Sequence, residues 1–600
     1  MSTYTPAFRA LRPAVDVGKE RRQFRRPWWV LSLLLPLLAA AGCTPWRDYI
    51  RNGLKVGPNY RRPPAPVASQ WIDAADPRVR SQEVSLRNWW TVFNDPVLNS
   101  LIDTAYRQNL TLRDAGFRVL QARAQLGIAV GLFFPQTQTM NGDFLREAAT
   151  RNTANRSFIA KRYYDQWDYG FNLAWEIDFW GRFRRMIEAA DARLNVSVEG
   201  YDGVLVTLLG DVAAAYVQIR TLEREIELTQ KNVQLQYQTL VLADARFQGG
   251  TATRLDVEQA KTVMKATEAQ IPGLKISLRQ ANNRLCILMG MPPEDLQKRI
   301  GPGQIPTAPR DVVVGIPADL LRRRPDVRAA ERAAAAQSAQ IGIAEAEFYP
   351  HISLVGTLDY SSQSFHNLID PGSFSGIVGP SYSWNILNYG RILNNVRAQN
   401  ALFQQLVVDY QMAVLNAAEE AEDGLVTFLE SQEQTKSQSE AVEAAQNAVD
   451  ISLAQYQGGQ VDFNRVAVLE LQLVQQQNLL AQARGQIATG LINVYRALGG
   501  GWELRLDNPQ ALPEVALAAP NSTPETTDKS QEAIPTPTGQ SSTQLPVPPP
   551  VLPNAQPPNA PSNTPSNAPP SIPPTVPPIT APSPLPNSLP SAPPAAIPAP

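Results

Sequence analysis

Residues 167–179 read WDYGFNLAWEIDF, and this stretch decides the fold. Its odd-numbered residues, from Trp167 to Phe179, are apolar, whereas most of its even-numbered residues are polar. Alternation with a period of two is typical of a β-strand with one apolar and one polar face. The stretch is also about as long as a tilted strand that crosses a bilayer. It therefore predicts a membrane-facing strand, with the half-buried hairpin of a soluble sandwich as the alternative.

The same pattern recurs later in the chain, because the chain contains an internal repeat. Trp175 and Trp384 are separated by the same interval as Gly290 and Gly499 (384 − 175 = 499 − 290 = 209). Upstream, Gly127-Ile128-Ala129 matches 342–344 at another interval (342 − 127 = 215). The change of interval predicts a six-residue length difference between Pro135 and Trp175, where a loop absorbs it at little cost. Each repeat supplies two alternating stretches, so the chain is expected to contribute four strands.

Long helical segments precede and follow the strands in the sequence of both repeats. The pattern from Leu98 to about Leu132 is helical, and Pro135 stops it. After the strands, proline-free segments run from Arg182 to Phe247 and from Arg391 to Tyr456. At about 1.5 Å per residue, each predicts a rod of roughly 100 Å. The glycine pairs Gly249, Gly250 and Gly458, Gly459 offer positive φ for a reversal, and return helices are expected over about 255–288 and 464–498.

Four membrane strands cannot close a barrel alone. An open sheet edge in hydrocarbon leaves backbone groups unpaired, at several kcal/mol each. The chain is therefore expected to share its barrel with copies of itself. Two copies would give a barrel of eight strands, and side chains fill the interior of such a barrel. Three copies would give twelve strands and begin to leave a lumen. Aromatic side chains near the strand ends fit the interfacial girdle of such a barrel: Trp167, Trp175, Phe179, Trp180 and Trp384.

The N-terminus has the features of an export signal. Four arginines in the segment 21–26 precede an apolar run from Trp28 to Ala41, and Ala40-Ala41-Gly42-Cys43 follows. The small residues before Cys43 resemble a bacterial lipobox, in which the cysteine is acylated. A plain signal peptide with an incidental cysteine is the alternative. The pattern predicts an exported chain anchored by lipid at Cys43.

Composition excludes several classes of function. Lys and Arg number 54 against 55 Asp and Glu, so the chain lacks the basic excess that holds nucleic acid. Two histidines and two cysteines leave little for a metal cluster, a thiol nucleophile or a disulfide framework. His351 and His366 have no partner motif, and Cys286 is expected to be a buried apolar residue. Neither an enzyme nor a bound cofactor is therefore expected.

Several motifs, in order, carry a family resemblance. They are Val56-Gly57-Pro58-Asn59-Tyr60, Trp89-Trp90 with Phe93-Asn94-Asp95-Pro96, Arg323-Arg324-Pro325-Asp326-Val327, and Ala497-Leu498-Gly499-Gly500-Gly501-Trp502. With the doubled strands and long helical hairpins, the chain resembles the TolC-like outer-membrane efflux proteins. More narrowly, it resembles the lipoprotein branch that serves resistance-nodulation-division pumps.

The resemblance implies a homotrimer with a twelve-stranded barrel in the outer membrane and a twelve-helix tunnel in the periplasm. It implies export of drugs, lipids, metals or other small molecules, with a periplasmic adaptor and an inner-membrane resistance-nodulation-division pump as partners. The alternatives are a periplasmic adaptor, which should show one hairpin between lipoyl-like β segments, and a coiled-coil structural lipoprotein.

The family's moving part is the periplasmic tip, and the resemblance places it at the two helical turns. The first turn contains Asp256, and the second supplies the gate candidates Asp462, Arg465 and Glu470, although Glu470 fits the pattern only with one inserted residue. Solvated helix ends are the alternative. A carboxylate ring at a constriction would attract cations unless the carboxylates are paired.

The chain is thus expected to divide into a signal peptide (1–42), an acylated lead-in (43–96), two repeats (97–300 and 301–507) and a tail (508–600). The tail is rich in Pro, Ser, Asn, Thr and Ala without an apolar period. Such a composition predicts a disordered or polyproline-like segment, which serves either as a spacer or in binding the cell wall or a partner.

Overall fold

The computed structural model describes residues 45–82, 85–150, 152 and 161–507. The signal segment, Cys43 and the tail from residue 508 lie outside the described residues. Predictions that concern them therefore stay predictions.

The described chain is mainly helical. Its helices are α1 Trp46–Arg51, α2 Pro96–Gln108, α3 Leu110–Gly131, α4 Arg182–Gln248, α5 Arg254–Glu268, α6 Gln270–Leu288, α7 Gln297–Ile300, α8 Leu320–Arg323, α9 Pro325–Ala346, α10 Arg391–Gln457, α11 Phe463–Ala497 and α12 Leu504–Asp507. Its strands are β1 Val79–Arg80, β2 Thr137–Ala148, β3 Tyr163–Ile177, β4 Val312–Val313, β5 His351–Ser362 and β6 Phe374–Ser383.

The four long strands form one antiparallel sheet in the order β2-β3-β5-β6. The register places Met140 opposite Phe171 and Trp175 opposite Leu354. Since directly opposite residues point to the same face, the apolar odd-numbered face of β3 continues on the even-numbered residues of its neighbours. The predicted alternation is therefore confirmed as a property of a whole sheet face.

The repeat predicted from the sequence is present in three dimensions. Helices α4 and α10 both span 67 residues, and their starts differ by the predicted interval (391 − 182 = 209). Helices α3 and α9 both span 22 residues and differ by the other interval (325 − 110 = 215).

Equivalent tryptophans fix equivalent junctions. The indole of Trp175 donates to the Phe133 carbonyl at 3.3 Å, and that of Trp384 donates to the Phe348 carbonyl at 2.9 Å. Each bond ties the end of a strand to the segment between helix and strand.

The six-residue length difference lies between Pro135 and Trp175, as predicted. The starts of β2 and β5 are 214 residues apart (351 − 137 = 214), one fewer than the upstream interval of 215. Gln136, which precedes β2, therefore accounts for one of the six extra residues of the first repeat. The Gln136 side chain accepts from the Glu176 N–H at 2.7 Å and donates to the Glu176 carbonyl at 3.2 Å, so it replaces a backbone partner. The other five residues (214 − 209 = 5) lie in the loop between the paired strands.

Two helices predicted as continuous are interrupted. The segment 98–132 divides at Asn109, whose side chain accepts from the Leu112 N–H at 2.8 Å and so caps α3. The return segment 255–288 divides at Ala269 between α5 and α6. Pro272 follows within the first turn of α6, where its missing N–H breaks the helical hydrogen-bond series. The second return helix, α11, is continuous, as predicted.

The main core joins the middle of the long helices to the lead-in. Trp89, Trp90 and Leu98 pack with Leu209, Tyr216 and Tyr495 in this cluster. Helix α4 is long and apolar enough to cross a membrane, but 67% of its most apolar window is buried within the protein. Packing in this core therefore accounts for the apolar character of α4.

Candidate functional site: hairpin tips and strand ends

The two helical hairpins reverse direction by the same hydrogen-bond pattern. In the first, the Gly250 N–H donates to the Phe247 carbonyl and the Thr251 N–H to the Arg246 carbonyl. Only the second glycine of each pair has positive φ, +70° at Gly250 and +71° at Gly459. Gly249 and Gly458 have φ of −76° and end the long helices. The sequence offered four glycines for the turns, and one per turn performs the reversal.

The predicted tip acids cap the return helices. Asp256 and Thr253 form a capping box at the start of α5, with the Thr253 hydroxyl donating to Asp256 Oδ1 at 3.0 Å. Asp462 accepts from the Arg465 backbone N–H at 3.2 Å and caps α11. The contact between Asp462 and Arg465 runs through the backbone, and both side chains are exposed. They are thus free to meet groups outside the protomer.

Glu470 lies away from the tip. It is 5% exposed, inside the interface between α4 and α11, and its Oε1 accepts a 2.7 Å hydrogen bond from the Thr239 hydroxyl. Burial raises the pKa of this carboxyl, and the hydrogen bond from Thr239 partly opposes that shift. Glu470 lies eight residues beyond Asp462 and five beyond Arg465, about 12 and 8 Å further along the helix, and it is buried whereas they are exposed.

A cavity of about 200 Å³ lies beside Glu470. Gln236, only 2% exposed, contributes to its lining, and neither amide atom of Gln236 has a hydrogen-bond partner among the described residues. Asn232, also in the lining, donates to Gln477 on α11 at 2.8 Å. The interface between the two hairpins therefore contains buried polar side chains at this level.

Arg246 joins the two tips. Its guanidinium lies 4.5 Å from the centroid of the Tyr456 ring, so a residue of α4 contacts one of α10. Burial raises the pKa of the Tyr456 phenol, and the nearby Asp256 carboxylate raises it further. The Tyr456 hydroxyl has no hydrogen-bond partner in the described part of the chain. This contact was missed from the sequence, since the repeat places Gln455, not an arginine, at the position equivalent to Arg246.

The predicted girdle residues lie at the two ends of the sheet. At one end, Trp167 contacts Phe144, with ring centroids 4.3 Å apart, and Phe365 at 5.0 Å. At the other end, Trp175 and Trp384 occupy the junctions described above. Phe179 and Trp180 follow β3 at this same end, with ring centroids 4.7 Å apart.

The lead-in also reaches this end of the sheet, which the sequence did not predict. The Tyr49 hydroxyl donates to the Phe179 carbonyl at 2.8 Å. The buried guanidinium of Arg185 donates to the carbonyls of Val56 and Gly57 at 3.1 and 2.9 Å. Residues close behind Cys43 are thereby held where strands give way to helices. No motif spacing links positions this far apart, so only the fold reveals the contact.

Comparison with known proteins agrees with this architecture. The profile of the family described as outer membrane efflux protein matches residues 101–291 and 316–500. The two matched blocks differ in their starts and ends by the two intervals of the repeat (316 − 101 = 215; 500 − 291 = 209).

Two relatives from Pseudomonas are matched over nearly their whole length. Outer membrane protein OprJ of Pseudomonas aeruginosa is 30% identical over 485 residues, 80% of this chain and 97% of the relative. The toluene efflux pump outer membrane protein TtgF of Pseudomonas putida is 30% identical over 465 residues, 75% of this chain and 95% of the relative. Among solved structures, the outer-membrane channel OprN is 30% identical with a TM-score of 0.70, covering 75% of this chain and 99% of that one.

Proposed function

Because the chain belongs to the outer membrane efflux protein family, we propose that three copies of it form one lipid-anchored exit duct, whose periplasmic tips open when an adaptor and a pump engage them. The chain is an outer-membrane efflux component with the channel fold of its relatives. This family is one of channels and not of enzymes. The copy number, the lipid anchor and the gating partners are the proposal.

The observation that carries the proposal is the open sheet. Among the described strands, β2 and β6 each pair on one side only, although the apolar face of the sheet suits hydrocarbon. Four strands from each of three copies would close twelve and leave a lumen, whereas eight would be filled by side chains. Two 67-residue helices per copy, each about 100 Å long, would continue that lumen as a tunnel.

The positions of the lead-in and of the tips support the proposed anchor and partners. Cys43 precedes α1, and the lead-in after it is tied to the strand ends through Tyr49 and Arg185. Acylation of Cys43 would therefore place lipid beside the membrane-facing sheet. The tips lie at the opposite ends of α4 and α10, where an adaptor and a resistance-nodulation-division pump of the inner membrane would meet them. The proposed organisation of the chain is a signal peptide (1–42), an acylated lead-in (43–96), two repeats (97–300 and 301–507) and a tail (508–600).

Conductance in planar bilayers tests the channel and separates two roles for Asp462. The purified wild-type protein is expected to open pores. Asp462→Ala removes both the cap and the charge, whereas Asp462→Asn keeps a capping side chain and removes only the charge. If the charge closes the tip, both variants conduct more than the wild type. If Asp462 only caps α11, Asp462→Asn matches the wild type. A protein that opens no pore refutes the channel itself.

The anchor is tested separately. Cells that express the wild type and are fed radiolabelled palmitate are expected to label the chain, and Cys43→Ser is expected to abolish the label. Label retained in Cys43→Ser contradicts acylation at this position and leaves the channel proposal intact.

A further inference from the structure

Two side-chain hydrogen bonds fix the register of α4 against α11. The Asn232 amide donates to the Gln477 side chain at 2.8 Å, and the Thr239 hydroxyl donates to Glu470 at 2.7 Å. The two bonds are seven residues apart on each helix (239 − 232 = 477 − 470 = 7). The helices therefore run antiparallel and stay in step over about two turns between the bonds.

Gln236 is a polar residue in an apolar layer between these two bonds. It follows Asn232 by four residues, and the residue four before Gln477 on α11 is Leu473 (477 − 4 = 473). An amide side chain has an acceptor oxygen and two N–H donors, and an alkyl side chain can satisfy none of them. Gln236 is only 2% exposed, and neither of its amide atoms has a hydrogen-bond partner among the described residues. Its hydrogen bonds are therefore available to a ligand.

The cavity that Gln236 lines has a negative character. Glu470 contributes a buried carboxyl, and Asp450 on α10 contributes an exposed one at the rim. None of the described residues that line the cavity is Lys, Arg or His. A volume of about 200 Å³ exceeds several-fold the space that one water molecule needs. The lining thus favours a positively charged ligand larger than water, because a buried charge needs an opposite charge as its partner.

The other walls of the cavity indicate the chemical class of this cation. In the part of the chain that the structure describes, no group of three or more His, Cys, Asp or Glu side chains could hold a metal ion. An ammonium group needs only acceptors for its three N–H donors, and an alkyl chain attached to it needs apolar walls. Apolar side chains from all three helices supply such walls: Leu235, Leu242, Val449, Leu453 and Leu473.

We propose that this cavity binds a small aliphatic ammonium ion, whose N–H groups donate to the Glu470 carboxylate and the Gln236 amide oxygen while its alkyl chain lies against the leucines. Burial raises the pKa of Glu470, and a cation beside the carboxyl favours its ionised form. All of the lining residues come from one protomer. The site therefore does not depend on the number of copies, and it goes beyond the proposed function, which assigns no ligand to this interface.

Titration calorimetry on the purified full-length protein in detergent tests the site. The probes are n-butylammonium, methylammonium, n-butanol and sodium, at constant ionic strength. The proposal predicts saturable binding of one n-butylammonium per chain. Methylammonium should bind at least tenfold more weakly, because each buried methylene group contributes roughly a fourfold gain in affinity. Neither n-butanol, which lacks the charge, nor sodium, which lacks the alkyl chain, should saturate at the same concentrations.

Substitutions in the lining locate the binding. Gln236→Leu and Glu470→Gln are each expected to lower the affinity for n-butylammonium at least tenfold. Gln234→Leu is the matched control, because Gln234 is an exposed residue of α4 that does not line the cavity. Without the amine, Gln236→Leu should also unfold at a higher temperature than the wild type, since leucine replaces an unsatisfied amide in an apolar layer. A loss of binding in this variant is then separate from a loss of fold.

The results distinguish this site from the alternatives. Equal affinities for the wild type and Gln236→Leu, or no saturable binding by the wild type, would overturn the site. Tighter binding of sodium than of n-butylammonium, or equal binding of n-butylammonium and methylammonium, would overturn the ligand class. Because the titration needs no membrane, a protein that binds the amine but opens no pore would defeat the proposed function and support this site.

Discussion

The Thr239 hydroxyl donates a 2.7 Å hydrogen bond to Glu470 Oε1 across the interface between α4 and α11. The two residues belong to different helical hairpins, and both are buried. A buried carboxyl group is stable when it is protonated, or when its ionised form accepts enough hydrogen bonds. Thr239 supplies the only side-chain hydrogen bond that Glu470 makes within the described residues, so the contact couples hairpin packing to protonation.

Glu470→Gln is expected to remove a pH dependence from the packing of the two hairpins. Since burial raises the pKa of Glu470 above its ordinary value of 4.5, the native protein binds more protons than the unfolded chain between the two pKa values. The contribution of Glu470 to stability is therefore full at low pH and is lost as the pH rises through the native pKa. The substituted amide would keep an acceptor for Thr239 without ionising.

Hydrogen exchange measures this effect as the opening free energy of amides in α4 and α11 near the contact, corrected for the intrinsic exchange rate at each pH. The wild type should lose protection with rising pH, and Glu470→Gln should not. Glu227→Gln is the control on α4, because the Glu227 carboxylate is exposed and ion-paired with Arg224 and Lys231. A wild type with pH-independent protection at this contact would contradict the prediction.

Thr239→Val is expected to destabilise the same interface because it leaves a buried carboxyl without its donor. The cost should be about 1–3 kcal/mol, the penalty for an unsatisfied buried polar group. In the double variant Thr239→Val with Glu470→Leu, both partners are apolar, and most of the loss should be recovered. Thermal unfolding of the purified protein checks this. Additive losses in the double variant would show that the two side chains act independently.

Much of the architecture was predictable because it follows from the periodicity and the internal repeat of the sequence. The alternation over 167–179 predicted β3, and the intervals of 209 and 215 predicted α10 from α4 and α9 from α3. The helix breaks at Asn109 and Ala269 were not predicted. Each is produced by a single residue, a capping side chain or a proline, and the helical pattern of the sequence continues on both sides of it. The family resemblance made Glu470 a gate candidate, but its burial depends on α4, whose Thr239 lies 231 residues away in the chain.

Arg246→Ala is expected to loosen the tips, because the guanidinium stacked on Tyr456 links α4 to α10. A cation–π contact of this kind contributes about 0.5–1 kcal/mol, which corresponds to a roughly two- to fivefold shift between closed and open tips. Single-channel recordings should show a higher open probability for Arg246→Ala. Tyr456→Phe is the matched control, since it keeps the ring and removes a hydroxyl that has no partner among the described residues. An unchanged open probability in Arg246→Ala would exclude this link as a restraint on the tips.

Gly290→Ala is expected to be far more damaging than Gly250→Ala, although both glycines have nearly the same backbone conformation. Their φ values are +71° and +70°, so the conformational penalty of alanine, about 1–2 kcal/mol, is common to both. At Gly250 an added Cβ meets nothing within 4 Å, whereas at Gly290 it collides with the backbone carbonyl of Gln108. That carbonyl ends α2 and cannot move without disturbing Asn109, which caps α3 and donates to the Leu288 carbonyl at 2.8 Å.

The collision should therefore add roughly 1–3 kcal/mol at Gly290, as overpacking does in a tight interior. Thermal unfolding followed by circular dichroism in detergent compares the two variants directly. The difference between their midpoints isolates the close approach of α6 to α2, because the φ penalty cancels. Equal midpoints would mean that the helix junction yields to the extra methyl group, and that the close packing there is not required for the fold.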